Sequence, residues 1–142
     1  MTATLRAPRP ADTAAIAELL DQLGHPADPA DIPRRVDAIA RDPDAEMWIA
    51  ELDGRVVGFA TALMIDALHM DGRVAQLTSL VVDEAVRGRG VGAQLVAEAE
   101  RWARGNAALR ITLTSALHRV EAHDFYRKLG YSHTGVRLAR DL

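Results

Sequence analysis

Hydrophobic residues near the start of the chain fall at helical spacing. Ile16, Leu19, Leu20 and Leu23 recur every three or four positions, with Asp12 ahead as an N-cap and Gly24 behind as a stop. Asp28-Pro29 opens a second helix whose stripe is Ile32, Val36 and Ile39. The spacing then tightens. Met47–Glu51 reads as a strand, Asp53-Gly54 as a hairpin turn, and Val56–Ile65 as a long apolar strand. A polar loop, Leu68–Arg73, leads to another strand, Val74–Asp83. Helical spacing returns with Val91, Leu95, Ala99 and Trp102, between Gly90 and about Arg104. Leu109–Thr114 alternates as a strand. Ala122, Phe125, Tyr126 and Leu129 share one face of a last helix, closed by Gly130. Thr4–Pro8 is expected as a first strand, and Tyr131–Leu142 as a last strand or short hairpin.

The predicted order is β-α-α-β-β-β-α-β-α-β. Hairpins fill the middle and a strand–helix–strand unit follows, so the expected fold is α/β: a mixed, mostly antiparallel sheet with helices on both faces. The 142 residues are expected to form one domain, 1–142. With 49% hydrophobic and 26% charged residues, the composition is that of a globular chain. The formal net charge of −3 argues against a nucleic-acid partner, which needs a basic face. No segment approaches the ~20 apolar residues of a membrane span, and Met1–Arg6 lacks the shape of a signal peptide. There is no cysteine, which excludes disulfides, thiolate metal sites and a cysteine nucleophile, and suits a reducing cytoplasm.

The chemistry concentrates where Leu80-Val81-Val82 ends a buried strand and Arg87-Gly88-Arg89-Gly90-Val91-Gly92 leads into a helix. The first amides of a helix lack backbone partners and sit at its positive end. Glycines let an anion approach those amides, and Arg87 and Arg89 add charge. The result is a phosphate or pyrophosphate cradle. A P-loop is excluded, because Ala93-Gln94 stands where a lysine and a hydroxyl residue are needed. The six residues from Gly88 do satisfy a dinucleotide fingerprint. That fingerprint also expects an acid about 20 positions on, and no Asp or Glu lies between Arg101 and Val120.

Arg87–Gly92 resembles the Gln/Arg-x-x-Gly-x-Gly/Ala signature of the GNAT family of N-acetyltransferases. The stretch Phe125-Tyr126-Arg127-Lys128-Leu129-Gly130-Tyr131 is similar to that family's second motif, Phe-Tyr-x-x-x-Gly-Phe/Tyr, in the right order along the chain. The resemblance implies a wedge between splayed fourth and fifth strands that takes acetyl-CoA as co-substrate. Leu80, Val81 and Val82 would pair with the pantetheine arm, and the amides of Arg87, Gly88, Arg89, Gly90, Val91 and Gly92 would hold the pyrophosphate. A small-molecule or peptide amine would attack the thioester directly, and Tyr126 would protonate the leaving sulfur.

Arg119 stands where many members carry asparagine, seven positions before the tyrosine, and is a candidate contact for a CoA phosphate or for the acceptor, or else a solvated helix residue. Glu46, Glu51, Asp66, His69 and Asp71 are candidates for the general base, which stays unassigned. His118 and His123 are spaced i, i+5, not the i, i+4 that turns two ligands to one metal, so no metal is expected. A non-catalytic acyl-CoA-binding regulatory module on the same fold is the alternative reading. Thr134–Leu142 offers a strand edge for a homodimer.

Overall fold

A computed structural model describes residues 2–115 and 119–142. The chain falls into two compact units, Met1–Thr112 and Leu113–Leu142. The strands are β1 (Thr4–Arg6), β2 (Ala45–Leu52), β3 (Arg55–Ala67), β4 (Gly72–Val82) and β5 (Ile111–Leu113), hydrogen-bonded in that order as one sheet. The helices are α1 (Thr13–Leu23), α2 (Ile32–Arg41), α3 (Val91–Gly105) and α4 (Val120–Lys128). β1 to β4 pair antiparallel. Next to β5 the pairing is parallel: the Leu109 amide donates to the Arg73 carbonyl and the Ala75 amide to that of Arg110, both at 2.9 Å, so residue numbers rise together. β5 has three residues against eleven in β4, so it accompanies only part of that strand.

Register sorts the two faces of the sheet. Ile49 lies opposite Phe59, and Phe59 opposite Val81. These three join Met47 in a core covered by Ile16, Ala17 and Leu19 of α1 and Ile32 of α2. The predicted helical stripes are the faces that pack here, each buried aliphatic side chain contributing about 1.5–3 kcal/mol. On the other face Met64 and Ala75 pack with Ala103 and Trp102 of α3. Trp48 meets Trp102 edge-on, with ring centroids 5.8 Å apart. Gly58 allows the close approach of β3, β4 and α3. A Cβ there would sit 2.8 Å from the Val81 carbonyl oxygen and 3.4 Å from Leu95 Cδ1.

Asp12 does more than the expected N-cap and caps no amide of α1 with its side chain. It lies in a 3-10 turn, Pro10–Asp12, and is only 4% exposed. Its two oxygens take both Arg6 Nη atoms at 2.9 Å, and Oδ2 also accepts from the Arg9 amide at 2.7 Å. Arg6 Nε donates to Glu51 at 2.7 Å, so one guanidinium ties β1, the turn and β2 together. The hydrogen bonds from Arg6 hold the Asp12 carboxyl below its usual range. The expected last strand is also absent. Among the described residues, 131–142 form no strand, and Val136 and Leu138 are exposed. Their alternation suits a strand, but alternation makes one only where a neighbour supplies the ladder. The homodimer edge expected at Thr134–Leu142 is therefore not formed. No helix among the described residues is long and apolar enough to cross a membrane.

Asp12→Asn should destabilise the fold by about 3 kcal/mol in denaturant titrations, because it leaves a largely buried guanidinium under-compensated. Since the folded-state pKa of Asp12 is lowered, its contribution is present above about pH 4 and fades on acidification below that. The variant should accordingly lose less stability than the parent between neutral pH and pH 3.

Candidate active site

β4 ends at Val82, and Asp83 stops it. The Asp83 amide donates to the Val57 carbonyl at 2.7 Å. Its carboxylate accepts from the Ala85 amide at 3.0 Å, from Gln22 Nε2 at 3.3 Å and from Arg55 Nη2 at 3.3 Å. Gln22 Oε1 in turn accepts from the Glu84 amide at 2.9 Å. Side chains from α1 and β3 thus brace the turn from two sides. The Ala85 amide, with Gln22 and the charges of Arg55 and Arg87, holds the Asp83 carboxyl below its usual range against the opposing effect of burial.

Beyond this brace the chain opens. Val86 is buried and anchors the turn. Arg87 is exposed, and its Nε donates to the Val82 carbonyl at 3.1 Å. Gly88 and Gly90 adopt φ of +82° and +84°, which a side chain would oppose by about 1–2 kcal/mol each. Among the described residues, no heavy atom other than those of the glycine itself and its chain neighbours lies within 4 Å of where a Cβ would stand at either position. Gly90 is the N-cap of α3 and no side chain caps that end. The first intrahelical bond runs from the Gln94 amide to the Gly90 carbonyl at 3.0 Å, so the amides of Val91, Gly92 and Ala93 precede the ladder. Donors, positive charge and open space coincide, and the arrangement fits a pyrophosphate such as that of CoA. Of the strand residues ahead of it, Val81 faces the α1/α2 core, while Leu80 and Val82 are half-buried.

Farther back along β4 lies a feature that the spacing of residues does not reveal. Thr61 pairs with Ser79, but Ala62 pairs with Leu77, so Thr78 is an extra residue in a bulge. The bulge turns two successive side chains of β4 to the same side. Thr61 Oγ1 lies 2.6 Å from Thr78 Oγ1 and also hydrogen-bonds Ser79 Oγ. The adjacent hydroxyls of Thr78-Ser79, between Leu77 and the apolar run Leu80-Val81-Val82, were the available sign.

In the second unit Tyr126 sits on α4 between Phe125 and Tyr131, with ring centroids at 5.1 Å and 5.8 Å. Burial pushes its phenol up to about 12, with the Arg119 charge pulling the other way. The group is therefore a protonated donor at neutral pH. Arg119 is the exposed N-cap residue of α4. His118 lies outside the described residues. Among those described, no three His, Asp or Glu side chains gather as a metal site requires.

The acidic candidates separate. Glu51 is engaged by Arg6, and Asp66 pairs with Arg73 at 3.1 Å. Glu46, on β2, and His69 and Asp71, in the turn between β3 and β4, are all exposed. None of them is a partner of the hydroxyl cluster.

Residues 13–131 match the family model described as the acetyltransferase (GNAT) family. The chain belongs to that family. It is 34% identical over 101 residues to the aminoalkylphosphonate N-acetyltransferase of Salmonella typhimurium, covering 71% of this chain and 66% of that protein. It is 30% identical over 96 residues to the N-acetylaspartate synthetase of Xenopus tropicalis, covering 68% of this chain and 34% of that protein. The match thus spans just under two thirds of the first relative's length and about one third of the second's. Among solved structures, a transcriptional regulator from Bacillus halodurans C-125 superposes with a TM-score of 0.86 at 25% identity, over 97% of this chain and 99% of that one.

Removing the Asp83 carboxylate should loosen the turn without unfolding the sheet. Charge-assisted bonds worth about 1.5–3 kcal/mol predict roughly 10- to 150-fold faster amide exchange over Glu84–Gly90 in Asp83→Ala, read by hydrogen–deuterium exchange.

Proposed function

We propose that this chain transfers an acetyl group from acetyl-CoA to a primary amine by direct attack in a ternary complex. The observation that carries the reading is the open, left-handed Gly88–Gly90 turn at the uncapped start of α3, in a chain of this family. The amides of Arg87 to Gly92 hold the pyrophosphate, and the backbone of Leu80, Val81 and Val82 pairs with the pantetheine arm as an added strand would. The short β5 leaves room for that pairing. Arg119 is a candidate contact for a CoA phosphate on the motif resemblance alone. The family match runs through both units, which supports reading 1–142 as one N-acetyltransferase domain.

The reaction sets two proton demands. An alkyl ammonium of pKa about 10.4 must lose a proton before its nitrogen can attack. As the N–C bond forms and the C–S bond breaks, the departing thiolate, whose thiol has a pKa of about 8.5, takes up a proton. Tyr126, at the position of the family's tyrosine motif, supplies it; burial keeps the phenol protonated at neutral pH. Its raised pKa favours the folded state below about pH 10, and that contribution is lost as pH rises toward 12. Deprotonation of Tyr126 therefore does not limit the reaction anywhere near neutrality.

The acceptor is a small-molecule amine. The relatives named for aminoalkylphosphonate and N-acetylaspartate support that class, and the loops around Gly24–Asp31 and Leu68–Arg73 would select within it. The cysteine-free sequence suits work in a reducing cytoplasm.

Purified protein with acetyl-CoA and a panel of small amines, aminoalkylphosphonates included, should release free thiol in proportion to acetylated amine. Binding of acetyl-CoA with no release against any amine would contradict the reading. Tyr126→Phe should lower kcat about 100-fold, the scale of a positioned proton donor, while KM for acetyl-CoA stays within about twofold.

A further inference from the structure

We infer that the hydroxyl chain Ser79–Thr61–Thr78 at the β4 bulge carries the proton released by the attacking amine. The inference rests on the proposed placement of the pantetheine arm along Leu80–Val82. A strand advances about 3.3 Å per residue, so Ser79 and Thr78 are the next positions along β4 beyond the paired segment, where the thioester end of the arm would arrive. The bulge makes those two residues unlike the rest of the strand.

Register places the cluster on the face covered by α1 and α2. Thr61 pairs with Met47 on one side and Ser79 on the other, and Met47 belongs to the core under those helices. The apolar cover formed by Ile16, Leu19 and Ile32 lies over Ile49, Phe59 and Val81. At the bulge the burial changes: Thr61 is 8% exposed, Ser79 is half-buried and Thr78 is exposed. One end of the hydroxyl chain therefore meets solvent while its middle is buried.

A hydroxyl carries one proton and accepts through two lone pairs. Thr61 Oγ1 touches two hydroxyls, so it donates to one and accepts from the other, or accepts from both. In the first arrangement the three groups form a directed chain with a donor at one end and an acceptor at the other. The proton balance follows. The amine proton passes to Ser79 Oγ, the Ser79 proton to Thr61, the Thr61 proton to Thr78, and the Thr78 proton to water. Each oxygen ends neutral with its hydrogen bond reversed, and the net result is one proton moved from the nitrogen to solvent. No carboxylate or histidine is needed beside the nucleophile, in keeping with the positions of Glu51 and Asp66 in ion pairs elsewhere. Ser79 touches the amine in this scheme. Thr61 acts through it as a positioning and relay residue.

The test is Thr61→Val, which keeps the β-branched shape and removes the hydroxyl, beside Thr61→Ser, which restores it. Three quantities are read: kcat and its pH profile, acetyl-CoA-induced thermal stabilisation, and acceptor affinity by calorimetry on CoA-saturated protein. The inference predicts kcat for Thr61→Val about 10- to 100-fold down and more so at low pH, where the amine carries its proton, with rescue to within about threefold in Thr61→Ser. Acetyl-CoA stabilisation and acceptor affinity should stay close to the parent. If Thr61→Val does not fold, Ser79→Ala takes its place, with the same predicted loss in kcat and its steepening at low pH. An unchanged kcat, or a loss that Thr61→Ser fails to restore, overturns the relay while leaving the acetyl-transfer reading standing. A parent protein that binds acetyl-CoA but acetylates no amine overturns both.

Discussion

The pairing of an eleven-residue β4 with a long β3 on one side and a three-residue β5 on the other is the constraint from which the rest follows. A strand fully paired on both edges has no backbone groups to offer a ligand, and one unpaired on both edges does not hold its shape. β4 is fixed by the ladder to β3, by Val81 in the core beneath α1 and α2, and by Gly58, which lets β3, β4 and Leu95 of α3 approach closely on the other face. Its other edge is paired at Arg73 and Ala75, and in the proposed complex the pantetheine arm lies along the Leu80–Val82 part. The glycine turn extends the same logic, because it places amides without intrahelical partners directly beyond the end of that edge.

The brace around Asp83 holds the open turn in form. Backbone amides and arginines at the positive end of a helix repel one another, and left-handed glycines add conformational freedom. The Asp83 carboxylate gathers one amide, Gln22 and Arg55, and Gln22 takes the next amide in turn. Arg87 reaches back to the Val82 carbonyl. The turn is thereby held by groups on its inner side, and its outer side stays clear for an anion. This is preorganisation in the ordinary sense: the ordering is done during folding and not at the moment of binding.

Much of this was legible in the sequence where a pattern is local. The stripes Ile16–Leu23 and Ile32–Ile39 and the run Val91–Trp102 became α1, α2 and α3, because an amphipathic helix buries its stripe whatever the partner. The turn at Gly88–Gly90 was legible because glycine is the residue that accepts a positive φ without strain. Three features were not. Asp12 looked like a cap because its neighbours are helical, yet its partner Arg6 and the link to Glu51 are set by the pairing of β1 with β2. The bulge at Thr78 depends on how two strands meet, which the alternation of one strand does not specify. The residues after Tyr131 alternate as a strand would, but strand formation requires a neighbouring backbone.

In the proposed complex acetyl-CoA lies along Leu80–Val82 of β4 with its pyrophosphate on the turn before α3. A crystal structure of the protein with acetyl-CoA tests it most directly. The pyrophosphate oxygens should lie within hydrogen-bonding distance of amides between Arg87 and Gly92, the pantetheine amides should pair with Leu80–Val82, and the acetyl group should sit beside the bulge at Thr78 and Ser79. A nucleotide bound away from the Gly88–Gly90 turn, or an arm that leaves β4 unpaired, would contradict it.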